Sequence, residues 1–266
     1  MTHSGGHHQS SDEIFAGNRL LSTFPHPLRE QLLVGATVVE LDQGSVAIER
    51  GHEFHRSLFP LGATTLSVLA QIDSTRAIEA ASIGREGAIG GIVSCGHSPA
   101  FARVETLVAG RALSVPMVLI EEAKAQSGHL RNLFCRYADY LLAQILQSAV
   151  CNAFHPIDAR TTRWLLTAHD RAGPRLQLTQ ASLARLLGAQ RTTVNAVVRQ
   201  FQDEGLIVIR RAAIAIADRD RLRARSCACY ELVEDFFGQV IGDNGAGAGQ
   251  DQDGSASAQS SVSPAI

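Results

Sequence analysis

The sequence has no uninterrupted run of about 18 apolar residues, which excludes a membrane-spanning helix of ordinary composition. It also lacks a phosphate-binding loop, a nucleophile elbow and the glycine pattern of dinucleotide-binding domains. These absences favour a protein that is not an enzyme and that needs no cofactor. Residues 1–11 lack the basic start and apolar middle of a secretory signal, so we expect a cytoplasmic protein.

Cysteine is scarce and scattered, at Cys95, Cys135, Cys151, Cys227 and Cys229. An odd number without an export signal indicates reduced thiols and not a disulfide framework. The first cysteine is Cys95, which argues against an iron–sulfur sensor with clustered N-terminal ligands. Cys227 and Cys229 lie two residues apart on a predicted helix and would point about 200° apart around its axis. We therefore predict that they do not bind one metal ion together.

Net charge is also small, at -2, but it is unevenly distributed. Residues 1–155 carry 11 basic and 14 acidic side chains (-3), residues 156–241 carry 13 and 9 (+4), and residues 242–266 carry none and 3 (-3). The basic excess therefore lies in one segment. Such a segment is a modest indication of a surface that binds nucleic acid.

The two ends are predicted to be disordered tails, over residues 1–11 and 242–266. The second is rich in Gly, Ser, Ala, Asp and Gln and has too few apolar side chains to offset the entropy of ordering. The first contains His3, His7 and His8, which could bind a metal ion, although a mobile tail is the favoured interpretation.

Residues 12–126 are predicted to form an N-terminal antiparallel β-roll, similar to a jelly roll, that acts as a sensor domain. From about Glu13 to Ala109, short apolar segments alternate with turn signals such as Asp42-Gln43-Gly44. The predicted strands include residues 36–41, 45–49, 66–72, 77–83 and 101–108. Helical patterns dominate the rest of the chain, so the predicted fold class is α+β.

A long helix is predicted over residues 127–155, and Pro156 ends it. Its larger side chains recur every three or four residues, which fits either packing on the sensor or pairing with a second copy of the chain. The narrow stripe favours a homodimer. The predicted dimer contacts are Leu130, Phe134, Tyr137, Leu141, Ile145 and Ser148. Cys151 continues this stripe, so a thiol-redox switch formed by two copies of Cys151 is an alternative mode of regulation.

Residues 156–241 are predicted to form a winged helix-turn-helix that binds DNA. Residues 158–170 have an amphipathic helical pattern, and Thr179 is a suitable N-cap for the next helix, which Gly188 ends. A second helix begins at Arg191 after a three-residue turn, with apolar side chains at Val194, Val197, Val198 and Phe201. Two helices joined by a short glycine turn are typical of a helix-turn-helix.

The opposite face of the second helix carries long polar side chains that can read base edges in the major groove. Residues 206–211 and 213–216 are predicted to pair as a wing beside the phosphate backbone. The predicted DNA-binding residues are Thr179, Gln180, Gln190, Arg191, Thr192, Asn195, Arg199, Arg210 and Arg211. A packing-only αα-hairpin is the alternative, and the basic polar face argues against it.

Residues 178–230, with LTQASLARLLG and RTTVNAVVRQFQDEGLI, resemble the winged helix-turn-helix of the Crp/Fnr superfamily of bacterial transcription regulators. Upstream, LFPLGATTLSVL (58–69) and SIGREGAIGG (82–91) are similar to the family's cyclic-nucleotide-binding-like domain. The resemblance covers roughly residues 15–240. It implies a β-roll sensor, a dimerisation helix and a DNA-reading domain in which Thr179 and Gln180 touch phosphates while Arg191, Thr192 and Asn195 face the groove.

Two departures from the family pattern change the expectations. The family often has Arg where this chain has Ala196, and it usually has Gly at the wing tip where this chain has Ala212-Ala213, so we predict a distorted wing turn. Family members that bind cyclic nucleotides use a Glu and an Arg, but the matching positions hold Ala88 and Ser98. We therefore predict that cyclic AMP does not bind tightly.

The sequence thus predicts a sequence-specific DNA-binding regulator that acts as a homodimer on a near-palindromic site. Its predicted partners are double-stranded DNA, a second copy of the chain, RNA polymerase and an unknown small-molecule or redox effector, with no membrane. A protein-interaction module of the same fold is one alternative. Another is a metal-dependent β-barrel enzyme, for which GHEFHR offers His52, Glu53 and His55, although the two histidines would point to opposite faces of a strand.

Overall fold

The computed structural model describes residues 11–73, 76–92 and 99–242. Apart from Ser11 and Gly242, the two predicted tails fall outside the described residues, as do Cys95 and Ser98. Ser11 is not in a tail but begins a helix. Helices surround two antiparallel sheets in the N-terminal half, and a small three-stranded sheet accompanies the helices of the C-terminal half.

Three short helices begin the part of the chain that the structure describes, where strands were predicted from about Glu13. They are α1 (Ser11–Ala16), α2 (Arg19–Ser22) and α3 (His26–Leu33). Asn18 caps α2 by accepting a hydrogen bond from the Leu21 N–H at 3.0 Å, and its amide donates to the carbonyl oxygens of Pro60 and Gly87 at 2.9 and 2.8 Å. One buried polar side chain therefore joins these helices to the β-roll, an arrangement that the apolar pattern did not indicate.

In the described part of the β-roll there are seven strands: β1 (Thr37–Leu41), β2 (Val46–Ile48), β3 (Arg56–Leu61), β4 (Thr65–Gln71), β5 (Ala77–Ile83), β6 (Arg103–Val108) and β7 (Gly110–Pro116). One sheet has the order β1-β7-β3 and the other β2-β6-β4-β5, with antiparallel neighbours. All five predicted strands are present. β3 and β7 were not predicted, and β3 is buried at five consecutive positions, so it lacks the alternation that marks a half-exposed strand.

The long helix α5 (Gly128–Phe154) follows α4 (Met117–Gln126). Four of its six predicted dimer contacts, Leu130, Phe134, Tyr137 and Ser148, are buried within the chain itself. The prediction for these four is wrong, because periodicity identifies the face that a helix buries and not the surface that covers it. Leu141 is half-buried and packs against the same core, and Ile145 is exposed.

The exposed face of α5 is also apolar near its C-terminal end. Leu142, Ile145, Leu146, Val150 and Phe154 expose between 42% and 80% of their surface in the single chain. They follow one another at steps of one, three or four residues, and so form a second stripe along the helix. We call these five residues the outer stripe.

The C-terminal half contains α6 (Ile157–Ala172), β8 (Arg175–Leu176), α7 (Gln180–Leu186), α8 (Arg191–Asp203), β9 (Ile207–Arg210), β10 (Ala213–Ile216), α9 (Arg219–Ala224) and α10 (Cys229–Val240). Trp164, Leu183, Val198 and Phe201 belong to its buried core. Leu69 of β4 joins the same core, so this half packs directly on the β-roll.

The last helix, α10, returns to the N-terminal core. Phe237 packs edge-on against Tyr140 of α5, with ring centroids 4.9 Å apart, and the guanidinium of Arg19 lies 4.5 Å from the Phe237 ring centroid. Val233 and Ile241 are buried in the same cluster. Helix α10 thus packs in the same core as the N-terminal helices α1 to α3.

The geometry expected for the cysteines is wrong in two respects. Cys227 precedes α10 and Cys229 is its first residue, so the two side chains are not 200° apart on one helix but converge. Cys151 is fully buried, and its Sγ lies 3.7 Å from the Sγ of Cys227 in the same chain. It therefore faces the chain's own C-terminal half, where a second copy of Cys151 cannot reach it.

Within residues 11–242, apart from the short gaps at 74–75 and 93–98, no helix is long and apolar enough to cross a lipid bilayer.

Candidate nucleic-acid interface

The boundaries of helix α7 are defined by the residues at its two ends. The Thr179 hydroxyl accepts a hydrogen bond from the Ser182 N–H at 3.0 Å, which caps the first turn. Gly188 adopts φ 62°, in the left-handed region that glycine tolerates, and so ends the helix and redirects the chain. Thr179 is exposed and Gln180 half-buried, at the helix start predicted for them.

Helix α8 has one apolar face and one polar face. Val194, Val197, Val198 and Phe201 are buried, as the spacing predicted. The opposite face exposes its polar side chains, and those predicted to meet DNA are Gln190, Arg191, Thr192 and Arg199, with Asn195 half-buried at its border. The Asn195 Oδ1 is itself buried and accepts no hydrogen bond from the described part of the chain.

The wing is the hairpin β9–β10, in which Arg210 pairs with Ala213. Ala212 adopts φ 55° and is the one non-glycine residue with positive φ among those described. The turn therefore closes in register although its tip lacks glycine, and the strain is confined to Ala212. Arg210 and Arg211 are both exposed at the tip.

The arginines of this surface differ from their neighbours in having no acidic partner. Arg191, Arg199, Arg210 and Arg211 are exposed and form no ion pair with any residue that the structure describes. Elsewhere in the same half, several arginines are paired with carboxylates at 2.6 to 3.1 Å, namely Arg185 with Glu105, Arg219 with Asp170, Arg223 with Glu231 and Arg225 with Glu204. The exposed arginines of α8 and the wing thus carry positive charge that no described carboxylate compensates, as does the exposed Arg175 of β8.

Comparisons with known proteins agree with this geometry. Residues 159–225 match the Crp-like helix-turn-helix domain. Over 71 residues the chain is 37% identical to the HTH-type transcriptional regulator Cmr of Mycobacterium tuberculosis, a match that spans 27% of this chain and 28% of Cmr. The chain thus matches less than a third of that relative's length.

Solved structures share the fold over a longer stretch. FixK2 from Bradyrhizobium japonicum superposes with a TM-score of 0.63 at 14% identity, over 73% of this chain and 98% of FixK2. A Crp-family transcriptional regulator from Thermus thermophilus superposes with a TM-score of 0.57 at 14% identity, over 71% and 96% of the two chains. The chain thus resembles Crp/Fnr regulators in two respects: residues 159–225 match the family's helix-turn-helix, and the longer stretch shares the fold of Crp/Fnr structures. The predicted α+β fold, with a β-roll followed by a winged helix-turn-helix, is confirmed.

The helix-turn-helix is docked on the β-roll through polar contacts that the sequence did not indicate. Arg185 of α7 lies 3.1 Å from the Glu105 carboxylate of β6. The Trp164 Nε1–H donates to Glu79 of β5 at 2.7 Å, and the Ser67 hydroxyl donates to the same carboxylate at 2.5 Å. Burial raises the pKa of Glu79, and these two hydrogen bonds oppose that shift.

The strongest of these contacts is buried. The Arg171 Nε–H donates to Glu86 at 2.7 Å, and the same guanidinium donates to the hydroxyl oxygens of Ser82 at 2.7 Å and Tyr140 at 3.1 Å. Burial alone would lower the pKa of Arg171, but Glu86, Tyr140 and Glu234 together outweigh it and raise the pKa above its usual value. This pair joins α6 to the GREG segment (84–87) of the β-roll.

The GREG segment is packed against α5. The Tyr137 hydroxyl donates to the Ala88 carbonyl oxygen at 2.9 Å and accepts from the Ala88 N–H at 3.0 Å. A Cβ atom on Gly87 would lie 2.1 Å from the Tyr137 hydroxyl oxygen, so glycine is required there. Ala88, aligned with the family's ribose-binding Glu, is thus fully buried, and the nearby Glu86 is already paired with Arg171.

Part of the predicted interface faces the β-roll. Thr179 and Ala212 line a cleft of about 220 Å³ together with Gln43 and Thr106 of the roll. The Gln43 amide donates to the Gln177 carbonyl oxygen beneath this cleft. In the described arrangement α8 is open to solvent, whereas the start of α7 and the wing tip lie next to the roll.

The alternative metal site in GHEFHR has no support in the geometry. His52, Glu53 and His55 are exposed in the connection between β2 and β3. Among the described residues, the one group of His, Cys, Asp and Glu side chains close enough to share a metal ion does not include them.

Proposed function

We propose that this chain is a sequence-specific DNA-binding transcription regulator of the Crp/Fnr type that acts in the cytoplasm. The observation that carries the proposal is the outer face of α8, where Arg191 and Arg199 are exposed without acidic partners beside Thr192 and Asn195. A helix with such a face fits the major groove, where arginine and asparagine can form paired hydrogen bonds with base edges. Arg210 and Arg211 at the wing are suited to phosphate contacts.

We further propose that it acts as a homodimer, with the outer stripe of α5 as the contact between the long helices. This stripe replaces the predicted one, because its apolar side chains are exposed in the single chain while most of the predicted contacts are not. Two parallel copies of α5 would bury it and carry the two α8 helices to one side of the dimer. Its site on DNA is then two inverted half-sites about 34 Å apart.

The packing of the GREG segment also supports a sensor that does not bind cyclic AMP. Glu86 forms an ion pair with Arg171, and the Tyr137 hydroxyl is hydrogen-bonded to both the N–H and the carbonyl oxygen of Ala88. A cyclic nucleotide would have to displace a buried ion pair and two hydrogen bonds to enter there. Titration calorimetry with cyclic AMP should therefore show no binding, and an affinity in the micromolar range would contradict this part of the proposal.

The docked arrangement supports a two-state regulator. A duplex that contacted both Thr179 and the wing would have to widen the cleft that these residues share with Gln43. An effector that binds better to the undocked state would then favour DNA binding. That effector and RNA polymerase are partners that we expect from the family resemblance.

The decisive experiment selects bound DNA from a random pool with the purified full-length protein, with and without cell extract as a source of effector. We expect an inverted repeat whose half-sites lie about one helical turn apart. Recovery of no preferred sequence under both conditions would contradict sequence-specific binding.

The dimer contact has its own test, by sedimentation of variants. Leu146→Asp places a charge on the outer stripe and should convert the dimer to a monomer, because two such charges would face each other in an apolar contact. Leu232→Asp is the matched control, since Leu232 of α10 is 56% exposed and Leu146 is 57% exposed. If both variants remain dimeric, the outer stripe is not the interface.

A further inference from the structure

Four metal-binding side chains meet where the long helix ends. They are Cys151, His155, Cys227 and Cys229, and one ligand atom from each lies within 4.8 Å of the other three. Cys151 and Cys229 are fully buried, and His155 and Cys227 are half-buried. The group thus combines three sulfur donors and one imidazole in a largely enclosed position.

Two local features bring these residues together. Cys151 and His155 are four residues apart at the end of α5, so their side chains lie on one face of the last turn. Cys229 is the first residue of α10, and Cys227 lies two residues before it in the segment that connects α9 to α10. Helix α10 packs along α5, as the contact between Phe237 and Tyr140 illustrates, and this packing brings the two pairs face to face.

Two of the ligand–ligand distances agree with one tetrahedral ion. The Sγ atoms of Cys151 and Cys227 are 3.7 Å apart, and the Sγ of Cys229 is 3.3 Å from the Nδ1 of His155. With zinc–sulfur bonds of about 2.3 Å, the edge between two sulfur ligands of a tetrahedron is about 3.8 Å, and a sulfur–nitrogen edge is slightly shorter. An iron–sulfur cluster places several metal atoms between its ligands and requires a wider cage.

The surroundings suit a site with negative charge. Three thiolates and a neutral imidazole around a divalent ion carry a net charge of -1. Arg160 lies close enough to Cys151 to interact with it electrostatically, and its Nε–H donates to Asn152 at 3.0 Å. The Gln147 amide donates to the Cys229 sulfur at 3.0 Å. Such outer contacts orient the ligands of a metal and balance their charge.

We propose that Cys151, His155, Cys227 and Cys229 form a structural Cys3His zinc site. Binding of Zn²⁺ replaces the three thiol protons, which leave to solvent, and involves no change of oxidation state. With four protein ligands the ion has no open position, so its role is structural and not catalytic.

The site would fix the angle between the two halves of the chain. His155, which is one of the ligands, and Pro156 form the connection between α5 and α6. Cys151 precedes this connection, and Cys227 and Cys229 follow it in the C-terminal half. A bound ion would therefore fasten the end of the long helix to the segment that joins α9 and α10. This inference does not depend on DNA binding.

The test measures metal in the full-length protein, purified under reducing conditions through a cleavable tag without histidine. We expect about one zinc ion per chain, as four protein ligands imply. Cys227→Ser should lose it, and Cys227→His should retain it because imidazole also binds zinc. Cobalt(II) added to the zinc-free protein should give the visible absorption of a tetrahedral cobalt thiolate site in the wild type but not in Cys227→Ser.

Two controls separate this site from the other cysteines and histidines. Cys135→Ser should keep the zinc, since Cys135 is exposed and outside the cluster. Replacing His3, His7 and His8 together by alanine should keep it as well. If Cys227→Ser does not fold, the cobalt(II) spectrum of Cys227→His decides the question. Its thiolate absorption should be weaker than that of the wild type, because imidazole replaces one thiolate ligand, and an unchanged spectrum would contradict the proposal.

Several outcomes would overturn the proposal. They are a wild-type protein without zinc, zinc that persists in Cys227→Ser, iron with inorganic sulfide in place of zinc, or a Cys151–Cys227 disulfide in protein from a reducing cytosol.

Discussion

The C-terminal half carries two surfaces with arginines, which differ in whether acidic side chains neutralise the arginine charge. On the inner surface, which faces the β-roll, Arg171 is buried against Glu86 at 2.7 Å and Arg185 meets Glu105 at 3.1 Å. On the outer surface, Arg191 and Arg211 stand among described residues that offer them no carboxylate. The inner charges hold the two halves of the chain together, whereas the outer charges are free to meet a polyanion. The position of a charge and its partner thus indicate function better than the net charge of -2.

The largest effect expected from this comparison is on Arg171. Arg171→Ala leaves the buried Glu86 carboxylate without its partner and should lower the free energy of unfolding by about 3–5 kcal/mol. Urea denaturation measures the loss. Arg191→Ala, on the outer surface, should change stability by no more than about 0.5 kcal/mol. A similar small change for Arg171→Ala would remove the distinction between the two surfaces.

The second effect is on DNA recognition by Arg191. Arg191→Ala should weaken binding to the selected DNA site by about 1–3 kcal/mol and relax the base preference there, because a base-edge contact is lost. Fluorescence anisotropy with the selected and a scrambled duplex measures both effects. Arg225→Ala is the control, since Arg225 is exposed and paired with Glu204 at 2.8 Å. Equal losses on both duplexes would contradict a base-reading role for Arg191.

The third effect, on the wing, is weaker and independent of sequence. Arg211→Ala should reduce binding to all duplexes alike and make the dependence of log K on log salt shallower by about 1 for each subunit, since one phosphate contact is lost. Anisotropy at several salt concentrations gives the slope. An unchanged slope would mean that the wing tip does not meet the phosphate backbone.

The smallest effect concerns the wing backbone. Ala212→Gly should raise the free energy of unfolding by up to about 1 kcal/mol, because glycine adopts the positive φ of residue 212 without strain. Thermal and urea denaturation measure it. Ala217→Gly, at an exposed position with ordinary φ, should instead lower stability slightly. A loss of stability in Ala212→Gly would show that the turn is not strained.

The helix-turn-helix could be predicted from sequence almost to the residue, because its boundaries depend on local chemistry. Thr179 caps α7, Gly188 ends it, and the apolar spacing from Val194 to Phe201 fixes the buried face of α8. Each of these signals acts within one or two turns of the helix that it defines. The predictions for this segment did not need knowledge of the rest of the chain.

The contacts between distant elements could not be predicted in the same way. The stripe through Leu130 and Phe134 was recognised as buried, but only the fold shows that the N-terminal helices and α10 cover it. The zinc ligands come from two places 76 residues apart, Cys151 and Cys227. The sequence did contain one usable signal, the four-residue spacing of Cys151 and His155 at the end of a helix.

The return of α10 to the N-terminal core also affects how the chain folds as it is synthesised. Arg19 and Tyr140 are synthesised before their packing partner Phe237, which lies near the end of the described chain. At about 5–20 residues per second, roughly 10–40 s separate the synthesis of Arg19 from that of Phe237. During this interval the apolar side chains beneath α10 are open to water and to other nascent chains. The β-roll therefore completes its core only after the helix-turn-helix has left the ribosome.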